Sequence, residues 1–262
     1  MFTLKIGKQG IPLWYRCFEG KSDKNAFSNE TIISGIDAVS KLFSAENELI
    51  FLADRWFTNT KILSHIDSLN HTYCVRSKGN IKIDIPYHPE NEVISNINCV
   101  PTKYTKSTTY NDVYITDSKY KTNIAISPER GNSDDMLYVL TNGDSKLALK
   151  HYGYRFGSIE FVFKNQKSNG LYLESTNIRN IQAFKSMYTV SCITVLWLSI
   201  LGGDYCKNQH STKFVPFRTS KRNKTGITRI YSLFNTGLML FNLLFNSEIN
   251  RKMKFNFKLH DL

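Results

Sequence analysis

The stretch LIFLADRWF, Leu49 to Phe57, decides the fold class. Leu49 to Ala53 form an apolar run too short for a typical helix and ended by Asp54, the pattern of a buried strand with a carboxylate at its C-terminal tip. Downstream, a helical pattern runs from about Asn59 to Leu69, and Thr72-Tyr73-Cys74-Val75-Arg76 alternates as a strand does. Strand, helix and strand with so short a crossover make a parallel βαβ unit. Upstream, Phe2 to Ile6 and Ile11 to Phe18 read as a hairpin turned by Gly7-Lys8-Gln9-Gly10. Between the hairpin and LIFLAD, Ile32, Ile33, Ile36, Val39 and Phe43 recur at helical spacing, with Ser28, Asn29 and Thr31 available as caps.

Beyond the βαβ unit the pattern changes. From about Asn80 to Thr141, Ile, Val, Tyr and Thr alternate with polar residues and Pro without helical period, which predicts a β-rich insertion closing with MLYVLT, Met136 to Thr141. Helical spacing then returns, with Ile159, Val162, Phe163 and Gln166 on one face and Ser158 as a cap. Ile178 to Leu201 and Ile227 to Phe245 read as helices apolar over much of their circumference, separated by the basic loop RTSKRNKTG, Arg218 to Gly226.

The chain has 262 residues, 41% of them hydrophobic, which excludes disordered and collagen-like classes. Lys and Arg outnumber Asp and Glu by 12, so an anionic partner is expected, either a phosphate backbone or an acidic membrane surface. Five scattered cysteines and six histidines contain no CxxC, HxH or HExxH spacing, and a reduced, intracellular home fits them best. No secretory leader pattern opens the chain. Ser186 to Gly203 is free of charge over 18 residues, the lower limit for a membrane span, but its Ser, Thr and Tyr content favours a buried helix.

Two places carry residues suited to chemistry. Ligands of α/β sheets bind outside the carboxyl ends of strands, which makes Asp54 a candidate metal-binding or catalytic carboxylate. On local sequence alone, the plainer reading is that Asp54 caps the next turn or pairs with Arg55. In YGYRFGSIEFVFKNQKSNG, Glu160, Lys164 and Lys167 share a helix face beside Tyr152 and Arg155, a pattern that solvated ion pairs also produce.

Taken together, GIPLWYRCFEG, LIFLADRWF, YCVRSKGN, MLYVLTN and YGYRFGSIEFVFKNQKSNG resemble bacterial insertion-sequence transposases of the DDE type, the insertion-sequence-4 family in particular. The resemblance covers nearly the whole chain. It implies an RNase H-like (retroviral-integrase-like) α/β fold: a mixed sheet with flanking helices, a β-rich insertion and a helical C-terminal part. Residues 1–79 would be the front of the core, 80–145 the insertion, and 146–262 the catalytic-Glu helix with the C-terminal helices. Asp54 would be the second catalytic acid and Glu160 the last, both metal ligands. Tyr152, Arg155, Lys164 and Lys167, with Arg76, Lys78, Arg218, Lys221, Arg222 and Lys224, would contact DNA. The implied cofactor is Mg²⁺, with Mn²⁺ as a substitute. The implied partners are the element's DNA ends, target DNA and a second copy in a synaptic complex, in the bacterial cytoplasm and with no membrane.

The chain departs from the family pattern twice. Four residues separate Arg155 from Glu160 where the family has three, which on an ideal helix swings Arg155 by about 100°. The family's first Asp belongs to a strand ahead of Phe2 to Ile6, and Asp23 and Asp37 lie beyond the hairpin, where no sheet-centre carboxylate is expected. Two Mg²⁺ ions roughly 3.5–4 Å apart need a bridging carboxylate. Residues 1–262 are therefore expected to be catalytically defective. The alternative is a non-catalytic DNA-binding remnant that occupies element ends or inhibits an intact transposase.

Overall fold

The computed structural model describes residues 1–6, 9–18, 23, 28–85, 92–93, 107–115, 118–129, 132–167, 171–207, 217–219, 227–229 and 231–246. The chain divides into two compact units, Met1–Phe163 and Lys164–Leu262.

The first unit is mixed α/β. Strands β1 (Phe2–Ile6) and β2 (Gln9–Trp14) pair antiparallel from Ile6 opposite Gln9 to Phe2 opposite Trp14. The second strand therefore starts earlier than sequence predicts and stops at Trp14, because β1 has no residue left to pair with Tyr15 to Phe18. Helix α1 (Asn29–Ser40) starts where the Ser28 hydroxyl accepts from the Thr31 amide. Strand β3 (Ile50–Ala53), helix α2 (Thr60–Ser68), capped by Asn59, and strand β4 (Thr72–Ser77) form the expected parallel βαβ unit, with Ile50 opposite Thr72 and Ala53 opposite Val75.

The β-rich stretch extends this same sheet. Strands β5 (Lys82–Asp84), β6 (Glu92–Val93), β7 (Thr108–Ile115), β8 (Tyr120–Glu129) and β9 (Asn132–Thr141) complete a seven-stranded sheet in the order β3-β4-β9-β8-β7-β5-β6. Among the described strands of this sheet only the β3–β4 pair is parallel.

The strand period of two distributes the core between the sheet's faces. Tyr73, Val75, Ile124, Ile126 and Leu140 join Ile36 of α1 and Ile62, Leu63 and Ile66 of α2 in one buried cluster. The alternate residues Cys74, Ala125 and Val139 meet Ala148 and Tyr152 of α3 (Ser145–Gly153) in another. Small side chains on this second face let α3 lie close to the sheet. Within the first cluster the buried Tyr73 phenol bonds the Thr122 hydroxyl at 2.8 Å, and Thr122 donates to the Thr141 carbonyl. Burial pushes the Tyr73 phenol far above its ordinary pKa.

The hairpin β1–β2 is a sheet of its own, and β3 is an edge strand of the seven. Between them lies a cavity of about 670 Å³. Consecutive residues of both strands line it, Phe2 to Lys5 and Ile50 to Ala53, so each strand presents its backbone edge rather than one face. Ile36, Ile62 and Val75 lie beneath, and the rings of Phe2 and Phe51 meet edge to face at 6.2 Å.

Helix α4 (Ile159–Lys167) carries the chain into the second unit. There α5 (Ile181–Lys207) begins where Asn180 Oδ1 accepts from the Gln182 and Ala183 amides, three residues later than expected, and runs through Gly202 and Gly203. The expected helix from Ile227 is corrected: Ile227–Arg229 forms strand β11, paired with β10 (Phe217–Thr219), and α6 starts at Leu233 (Leu233–Asn246). Helices α5 and α6 cross at Gly202 and Gly237, where any Cβ would collide with the partner helix's backbone. Ser191, Cys192, Val195, Leu198 and Ser199 form the buried stripe of α5, whereas Val190 and Ile193 are exposed. By length and composition α5 is the one described helix long and apolar enough to cross a membrane, with 39% of its most apolar window buried.

Candidate functional site

Asp54 follows the last residue of β3 and caps the short 3-10 turn Arg55–Phe57, its Oδ1 accepting from the Arg55 amide at 2.8 Å. The structural role open to this residue in the sequence is therefore real, and it leaves Oδ2 free to point elsewhere. That oxygen lies 3.5 Å from a terminal nitrogen of Arg155. The other terminal nitrogen of Arg155 lies 3.4 Å from Oε1 of Glu160. One guanidinium thus touches two carboxylates that are 106 residues apart in the chain.

The extra residue between Arg155 and Glu160 is absorbed before the helix begins. Gly157 has φ of 79°, a left-handed conformation that costs glycine nothing, and α4 starts only at Ile159. The resulting turn, Tyr154 to Ser158, brings Arg155 back over Glu160. Strand β1 fixes the turn from one side: Lys5 Nζ donates to the carbonyls of Tyr154 and Phe156 at 2.6 and 3.1 Å, and the hydroxyls of Thr3 and Ser158 meet at 3.0 Å. Gly10 passes so close that a Cβ there would collide with the Ser158 carbonyl.

A two-metal centre needs hard oxygen donors gathered around a shared carboxylate. Asp54 and Glu160 offer hard carboxylate oxygens, the right type for Mg²⁺. Among the described residues no group of three or more His, Cys, Asp or Glu side chains gathers in a metal-holding arrangement, and the guanidinium of Arg155 already occupies the space between the two acids. As arranged, the residues present do not fit a pair of bridged cations.

The other expected contacts separate into groups. Tyr152 is corrected: at 1% exposure its ring belongs to the core beneath the sheet, edge to face with Phe156, and cannot meet DNA. Its place near Arg155 in sequence reflects the packing of α3, which positions the turn. Lys78, at the end of β4, is exposed, and Arg76 is half-buried. Lys164 and Lys167 are exposed on α4, where Lys167 pairs with Glu174 at 2.7 Å. On the apolar side of α4, Val162 and Gln166 are buried as expected, but Asn165 is buried where Phe163 is not. Arg218 lies in β10, and Lys221, Arg222 and Lys224 fall outside the described residues. Asp37 pairs with His65 at 2.7 Å, joining α1 to α2 away from the sheet centre.

Sequence reasoning passed over the aromatic residues around the carboxylates. Trp56 and Phe156 are both largely exposed, within two residues of Asp54 and one of Arg155 respectively. Their signal was available as aromatic side chains directly beside charged ones in LIFLADRWF and YGYRFGSIEF. Compared with known proteins, the chain matches no family model and no curated sequence.

Proposed function

We propose that this chain carries the framework of a DDE-type insertion-sequence transposase and binds DNA, and that residues 1–262 by themselves do not cut it. The observation that supports this reading best is the meeting of Asp54 and Glu160 on Arg155, at the carboxyl end of β3. Ion pairs between residues so distant in sequence are not needed to hold so short a strand end in place, and the same three residue types are what the resemblance assigns to the catalytic corner.

Supporting features lie nearby. The parallel β3–β4 pair places Asp54 where α/β sheets put their ligand groups. The net charge of +12 suits a phosphate backbone. The apolar cleft between the edges of β1 and β3 agrees with a core that takes one further strand there. Mg²⁺ remains the cofactor the resemblance implies, and no step is assigned to it on the donor set present.

A second reading, the non-catalytic DNA-binding remnant, is favoured by the placement of Arg155 between the acids, where it neutralises them without a metal. Purified residues 1–262, a duplex end of the parent element and Mg²⁺ or Mn²⁺ test both readings. Salt-dependent binding without cleavage is expected. Metal-dependent cleavage would overturn the claim of inactivity, and absence of binding at low salt would overturn the proposal as a whole. Changing Lys164 and Lys167 together to Gln should flatten the dependence of log affinity on log salt, each lost duplex phosphate contact removing about 0.9 from the slope.

A further inference from the structure

Trp56 is the most exposed of the large hydrophobic side chains described, at 74%. An indole left so open forgoes the stabilisation that burying its large apolar surface would bring. It is nevertheless not isolated. Lys78 Nζ sits 4.8 Å from the ring centroid, a cation–π contact that orients the indole while most of it stays open to solvent. Trp56 lies two residues beyond Asp54. Beside Arg155 in the chain, Phe156 is 56% exposed with the Arg155 guanidinium 5.9 Å from its centroid, and Tyr154 is 45% exposed with Lys5 Nζ at 5.6 Å.

Three exposed rings, each accompanied by its own cation, therefore lie within two residues of Asp54 or Arg155 in the chain. Within a duplex such rings find no partner, because each base's faces are covered by its stacked neighbours. Unpaired bases can, and proteins that hold single strands combine stacking aromatics with cations that follow the backbone. We propose that Trp56, backed by Lys78, is a stacking platform for an unpaired nucleobase, and that this corner of the protein binds a single-stranded stretch of DNA. Phe156 with Arg155 supplies a second platform. The inference rests on the DNA-binding reading above and specifies the form of DNA that this site takes. Because every base has a π-face, the platform is indifferent to sequence.

The test uses residues 1–262 and three fluorescently labelled probes of equal length: oligo(dT), an abasic strand with the same backbone, and a blunt duplex. Anisotropy titrations are made at one salt concentration. Trp56→Ala should weaken oligo(dT) binding by about 5- to 150-fold, the range that loss of one base–aromatic stack produces. It should leave the abasic strand and the duplex within about twofold, and Trp56→Phe should retain most of the affinity for oligo(dT). Lys78→Gln should weaken all three probes through the lost charge. Unchanged oligo(dT) binding in Trp56→Ala overturns the proposal, as does equal weakening of all three probes. If the unaltered chain binds none of them, the DNA-binding reading fails first. If it binds the duplex normally but oligo(dT) is insensitive to Trp56, only the platform fails. An outcome in which no probe responds to Trp56 while a protein partner does would reassign the surface to protein recognition.

Discussion

Strands β8 and β9 and the corner around Asp54 belong to one compact unit and are built on opposite terms. In the interior pair, Ile124, Ala125, Val139 and Leu140 are fully buried, and both strands have a neighbour on each side. At the corner, β3 has a single neighbour, the ion pairs of Arg155 are 3.4 and 3.5 Å long, and the aromatic residues face water. The comparison separates what holds this unit together from what the proposed DNA-binding reading draws on. Burial of apolar side chains stabilises the interior, whereas partly exposed ion pairs contribute little, about 1 kcal/mol or less each.

The largest effect should come from the interior. Ile124→Ala removes most of a side chain that is completely buried, and urea denaturation should register a loss of about 2–5 kcal/mol. A loss comparable to that of a surface change would mean that β8 is not part of the stabilising core.

Between the two regions stands Gly10, which anchors the site's turn to the hairpin. Gly10→Ala forces a methyl group against the Ser158 carbonyl, and relief requires the backbone to move. A cost of about 1–3 kcal/mol is expected in the same assay, together with weaker DNA binding as the turn carrying Arg155 shifts. A neutral substitution would show that the hairpin does not position the turn.

Tyr73→Phe tests a buried polar group at the heart of the interior, where it neighbours the buried Thr122 and Thr141. Losing its bond to Thr122 should cost about 1 kcal/mol at neutral pH. The pH dependence has a definite sign. The folded phenol's pKa is raised by burial, so its contribution is complete below the unfolded value of about 10 and is lost as pH climbs above it, when only the unfolded chain readily ionises. The Phe variant should therefore lose stability less steeply than the parent above that pH, and identical slopes would contradict the burial of the phenol.

The smallest change is expected at the corner itself. Asp54→Asn keeps the capping oxygen and removes the charge facing Arg155, so stability should move by less than about 1 kcal/mol. If this variant proves as damaging as Ile124→Ala, the separation between stabilising interior and binding corner is wrong.

The βαβ unit was legible because its signals are local: an apolar run ended by Asp54, a helical pattern from about Asn59, and alternation from Thr72 to Arg76. Helix ends fared less well where one residue serves two purposes. Gly202 and Gly203 read as a terminus, yet at Gly202 the absent side chain makes room for the backbone of α6, and the helix continues to Lys207. Ile227 to Arg229 is too short to reveal its period and was absorbed into the helix that follows. At the site, Asp54 and Glu160 could be named in advance, but the grip of Arg155 on both depends on the left-handed turn at Gly157, which residue spacing does not encode. Tyr152 lies two residues before the exposed Tyr154, and only the packing of α3 tells the buried ring from the exposed one.

The cleft between β1 and β3 has a consequence for the life of the protein in solution. Two strand edges with unspent backbone donors and acceptors, facing one apolar hollow, offer a template to any extended chain that drifts past. Unpaired strand edges favour edge-to-edge association, so light scattering is expected to rise as the protein is concentrated.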